Sequence, residues 1–157
     1  MKPKTIYSIV AVIIVIIAII AVVCFVLPKP NVTIDLAQLN TTISEKDPFH
    51  QMAMMDITTE TLTTVYQVEA QDIEEVIGKM PMMNVQASMY LVVKAKEGKV
   101  DTVKEQIEKI GTTEEQKWEH YLPAQYEIVK NRKIGVTGDY IYLVISENAE
   151  EIVKLIK

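Results

Sequence analysis

Seven of the eight methionines lie between positions 52 and 89, in the stretches HQMAMMD (50–56) and KMPMMNVQASMY (79–90). Thioether sulfur is a soft ligand that favours Cu(I). His50 with Met52, Met54 and Met55, joined by Met80, Met82 and Met83, offers enough soft donors to surround one ion without any thiolate. The same residues have two plainer uses: unbranched, polarizable side chains fill irregular gaps in a core, or form an adaptable surface for a partner. Met54 is followed directly by Met55, and Met82 by Met83. Neighbours on an extended chain point to opposite faces, so each cluster divides its sulfurs and a metal site demands special loop geometry.

Other chemistry is sparsely represented. Glu114, Glu115, Glu119 and His120 share a short stretch, and Glu115 and Glu119 are one helical turn apart. A zinc site needs a further histidine or a tighter ligand set, so these residues read as a solvated helix face. The trio Lys130, Arg132 and Lys133 likewise reads as a solvated face near a turn. His50 and His120 are the only histidines, and no serine sits in a G-x-S-x-G elbow. The pairs Glu74 and Glu75, and Glu150 and Glu151, are adjacent in sequence, which does not make a shared-proton pair. No G-x-x-x-x-G-K loop is present to cradle phosphate. The expected class is non-enzymatic, with no cofactor.

The N-terminus carries the strongest organisational signal. Residues 6–27 are 22 in number and free of charge, about 33 Å as a helix, against about 30 Å of hydrocarbon in a bilayer. A cleavable leader has a shorter apolar region and a small-x-small exit, and CFVLP is neither. Lys2 and Lys4 precede the span and only Lys29 follows closely, which predicts a cytoplasmic N-terminus at 1–5 and an outward-facing remainder. The expected protein is a single-pass membrane protein whose helix engages the bilayer. Cys24, the only cysteine, lies in the span and excludes an internal disulfide. After position 30 the chain holds 13 basic and 21 acidic residues, a net charge of −8. That balance argues against nucleic acid or anionic lipid as a partner.

Pro28-Lys29-Pro30 makes a stiff linker over 28–33, and a single domain is expected over 34–157. Asp35 is placed to cap a short helix bearing Leu36, Leu39 and Ile43. A second short helix is expected within 58–68, and an irregular strand within 73–83. SMYLVVKAK reads as a strand, and Val100, Val103, Ile107, Ile110 and Trp118 mark one long helix that ends before Pro123. RKIGVT and YIYLVIS flank Gly138-Asp139 as a hairpin, and residues 149–156 form a terminal helix. The expected fold class is α+β, with three or four antiparallel strands packed in two layers on the long helix.

The order of DIEEVI, SMYLVVKAK, a Gln- and Glu-rich helix ending in WEHYLPAQY, and YIYLVISEN resembles the family called domain of unknown function 4358. The resemblance implies a Gram-positive, membrane-tethered or lipid-tethered domain on the extracytoplasmic side, and brings no activity, cofactor or site residues. Members are often lipoproteins, and this chain departs from that pattern in having Val23, not a small residue, before Cys24. The expected role is an extracytoplasmic interaction domain whose partner is an envelope protein, contacted by the methionine segment and an exposed side of the sheet. The alternative is a methionine-rich Cu(I)-binding envelope protein.

Overall fold

In the computed structural model, residues 32–157 are described; the expected transmembrane span and Cys24 lie outside them. The chain runs through α1 (Leu36–Ser44), β1 (Met54–Asp56), α2 (Thr59–Val65), β2 (Ile73–Pro81), β3 (Met89–Ala95), α3 (Val100–Trp118), α4 (Pro123–Lys130), β4 (Lys133–Thr137), β5 (Tyr140–Ile145) and α5 (Ala149–Ile156). The strands form one antiparallel sheet in the order β1-β2-β3-β5-β4.

Local signals explain most of these boundaries. The Asp35 carboxylate accepts the Gln38 amide at 2.9 Å and starts α1, which buries Leu36, Leu39 and Ile43. Thr58 caps α2 and exchanges hydrogen bonds with Thr61. Gly138 opens the β4–β5 turn with φ at +58°, as a tight hairpin requires. Pro123 has a double role: it lies beyond the end of α3 and also occupies the first turn of α4, a helix not expected from the sequence. Its missing N–H costs nothing at a position where no intrahelical partner exists.

The α+β class holds, but the expected three or four strands are five and the two layers are three. Leu91, Val93, Ile141, Leu143 and Ile145 pack with Val103, Ile107, Ile110 and Trp118 of α3 on one face of the sheet. Tyr90, Val92, Tyr140, Tyr142 and Val144 pack on the other with Leu39 and Ile43 of α1, Phe49, and Ile152 and Ile156 of α5. The centre of the sheet therefore has no exposed side, which corrects the expectation that one would serve as a contact surface.

Two contacts fix the middle of this arrangement. Gly78 stands opposite Leu91, and a Cβ there would lie 2.6 Å from the Tyr90 carbonyl oxygen and 3.1 Å from Leu91 Cα. Tyr90, wholly buried, sets its ring edge-on to Phe49 with centroids 4.9 Å apart, and its hydroxyl donates to Asn40 Oδ1 at 2.8 Å. Burial first, and then the Asp56 carboxylate, push the Tyr90 hydroxyl well above the usual tyrosine range.

Gly78→Ala should lower the unfolding free energy by about 1–3 kcal/mol, because backbone atoms of β3 have nowhere to move. Urea denaturation measures this, and an unchanged midpoint would contradict the close approach. Tyr90 gives a pH dependence. Unfolded tyrosine loses its proton near pH 10, whereas native Tyr90 holds it to a higher pH, so above about pH 10 the unfolded state binds fewer protons. Stability should be undiminished below that pH and fall as pH rises further. Tyr90→Phe should flatten the alkaline fall while costing about 1 kcal/mol at neutral pH for the lost hydrogen bond. Chemical denaturation at several alkaline pH values, with identical slopes for both proteins, would refute this assignment.

Candidate partner-binding surface

The sheet brings the two methionine clusters side by side. Met54 pairs with Pro81, Met55 with Met80 and Asp56 with Lys79, and the Met82 amide continues the ladder by donating to the Ala53 carbonyl at 2.9 Å. Residues directly opposite in a ladder share a face, while sequence neighbours alternate. Met55 and Met80 therefore lie on one face and Met54 on the other.

Burial divides the methionines accordingly. Met80 packs against the core beneath α3, where Met89 is also buried, and Met52 and Met54 pack against the core beneath α1 and α5. These four fill gaps, as the packing reading expects. Met55, Met82 and Met83 do not: they are 45%, 65% and 57% exposed, with Val85 beside them in sequence at 47%. The loop after β2 is nevertheless held, since the Ala87 amide donates to Gln125 Oε1 of α4 at 2.8 Å. Eight large apolar side chains are exposed among the described residues, and four of them belong to this one end of the sheet.

The proposed copper ligands are split by the same geometry. Met52 and Met54 face one core and Met80 the other, while His50 is exposed with Nδ1 3.0 Å from Asp47 Oδ1. Among the described residues, no three His, Cys, Asp or Glu side chains gather as a metal site.

Behind the methionine loop, Tyr66, Met80, Met83, Met89, Glu114 and Lys117 are among the residues lining a cavity of about 30 Å³, room for about one water. Glu114 is 5% exposed, which corrects the expectation that it belongs to a solvated helix face. Its Oε2 accepts from Trp118 Nε1 at 3.2 Å and from Lys117 Nζ at 3.3 Å, and its Oε1 accepts from the Tyr66 hydroxyl at 3.4 Å. Burial, and then the charge of Glu114, push the Tyr66 hydroxyl well above the usual range. The group is a satisfied polar knot in the core, with donors matched to each carboxylate oxygen. Its position was legible: Glu114 falls on the stripe of Ile107, Ile110 and Trp118.

His120 and Glu119 stay outside this knot, their side chains 89% and 50% exposed. Glu115 instead receives Arg132 at 2.7 Å, with the Arg132 side chain 19% exposed. The guanidinium lies over Gly111, where a Cβ would come within 2.8 Å of Arg132 Nε. Arg132 thus ties α3 to the start of β4, and is not the freely solvated charge that the sequence suggested.

No protein with a curated description and no solved structure matches this chain. The family described as a domain of unknown function, DUF4358, matches residues 49–146, a stretch that contains all five strands together with α2, α3 and α4. With well over half of its length matched, and the matched part coinciding with the whole sheet, the chain belongs to the domain of unknown function 4358 family.

Proposed function

We propose that this chain is a non-enzymatic, single-pass envelope protein, anchored by residues 6–27, whose extracytoplasmic domain docks another envelope protein through the methionine end of its sheet. The observation that carries this reading is the exposure of Met55, Met82, Met83 and Val85 at the β1–β2 end of the sheet. Apolar side chains that a core does not use are a standing cost unless a partner covers them. Methionine suits such a surface because three rotatable bonds let it adapt to the partner's shape. The non-enzymatic part is supported by the exposure of both histidines, each apart from the buried Glu114 knot and paired only with a carboxylate among the described residues. The anchoring part is supported by the uncharged aliphatic run and the lysines before it.

Two measurements test these parts separately. The full chain should sediment with membranes, resist alkaline carbonate, and dissolve in detergent. Its domain should be cut by protease added to intact protoplasts. Release by carbonate, or protection from protease, would overturn the anchoring or the orientation. A photo-reactive residue at position 82 or 83 should give one discrete cross-linked product in cells, and the same residue at position 109 on α3 should not. Replacing the other exposed methionines by serine should reduce that product at least tenfold with little change in melting temperature, because these side chains contribute little to the core. An undiminished product would defeat the docking assignment.

A further inference from the structure

We infer that the outer edge of β2 is a strand-addition site for an extended, basic segment of a partner protein. The inference rests on the protein-docking reading above and names the chemistry of what docks.

β2 pairs with β3 from Ile73 to Lys79, but β1 covers only Lys79 to Pro81 on the other side. The direction of the free backbone groups follows from two hydrogen bonds. The Met82 amide donates to Ala53, and the Gly78 carbonyl accepts the Ile57 amide at 2.8 Å, so the backbone groups of residues 78 and 82 point toward the β1 side. Backbone direction in an antiparallel strand repeats every two residues. The N–H and C=O of Val76 therefore point the same way, and among the described residues no strand or loop backbone meets them there. A groove of about 430 Å³ occupies that place, with Asn40, Asp56, Thr58, Glu74, Glu75 and Val76 in its lining.

Charge selects the occupant. The lining holds three carboxylates and no lysine or arginine. Lys79 and Lys94 reach Asp56 and Glu74 from outside it, at 2.7 and 2.6 Å, whereas Glu75 has no ion pair among the described residues. A second copy of this chain would bring the same carboxylates to the same edge, and like charges placed opposite each other repel. An acidic segment fails for the same reason. A strand with lysine or arginine at alternate positions satisfies both requirements: its backbone completes the ladder at Val76 while its cations meet Glu74 and Glu75. The irregular register between Ile73 and Glu75 sets one end of the site, and Ile57 crossing to Gly78 sets the other.

The probe is a capped seven-residue peptide alternating valine and lysine, added to the isotope-labelled full chain in lipid nanodiscs. Saturable binding should shift the amides of residues 74–77 and slow hydrogen exchange at the Val76 amide at least tenfold. Glu75→Lys should weaken the peptide's Kd at least tenfold at low salt. Methylating the peptide nitrogens that face β2 should abolish binding, whereas methylating the opposite set should not, a comparison that leaves the protein unaltered. Absence of saturable binding, an unprotected Val76 amide, or equal affinity for a peptide with glutamate in place of lysine would each overturn the inference. The cross-link at positions 82 and 83 reads the methionine surface independently. If it persists while the peptide fails, the docking function stands and the strand-addition site falls.

Discussion

β3 and β5 bury side chains toward both faces of the sheet, and the other elements are arranged around that requirement. From Met89 to Val93, and from Tyr140 to Ile145, every residue is buried. A strand of this kind cannot lie at an edge or face water on one side. It needs a paired strand on each flank, which β2 and β4 supply, and a helical layer above and below. α3 covers one face, and α1 with α5 covers the other. The tight passage of Gly78 against β3 and the Tyr90–Asn40 hydrogen bond join β2 and α1 to this centre.

Four of the five helices and the hairpin were readable because their signals are local, whereas α4 was not expected. Asp35 before an apolar stripe, glycine first in a two-residue turn, and the period of Val100 through Trp118 each act within a few residues. The third layer was also written in the chain, in SMYLVVKAK and YIYLVIS, since unbroken apolar runs lack the alternation of a strand with one wet face. β1 was not readable: three residues, Met54–Asp56, carry no period, and only the position of Lys79–Pro81 makes them a strand. The candidate surface divides in the same way. Sequence alternation foretold that Met54 and Met55 would split, with the β1–β2 register, a long-range fact, deciding that Met55 is the exposed one; Met82 and Met83 lie beyond the end of β2 and are both exposed, which alternation did not foretell.

Glu114 illustrates a different limit. A carboxylate on an apolar stripe is costly unless its oxygens are satisfied. Its donors come from three places: Trp118 one turn on, Lys117, and Tyr66, 48 residues away in sequence. The sequence shows the carboxylate's place on the stripe, and the fold alone shows that a distant hydroxyl completes its shell.

On the proposed reading, stability and docking lie in different parts of the sheet, the first in the central β3 and β5 and the second at the β1 edge. The central strands are covered whatever happens at β1, so the methionine end can vary in conformation without loosening the core. On that reading, a partner that covers Met55, Met82 and Met83, each about half exposed, gains about 2.5–5 kcal/mol from burial. Lost translational and rotational freedom offsets about 4–15 kcal/mol on association from free solution. The methionines alone therefore make a weak contact. Two features reduce the deficit: added backbone and charge contacts at the neighbouring β2 edge, and confinement of both partners to one membrane, which raises their effective concentration without any new contact. A domain with an adaptable apolar rim and an acidic open edge is thus suited to a reversible partner met repeatedly at the same membrane, and less suited to a permanent subunit, whose interface would bury a larger and more uniformly apolar area.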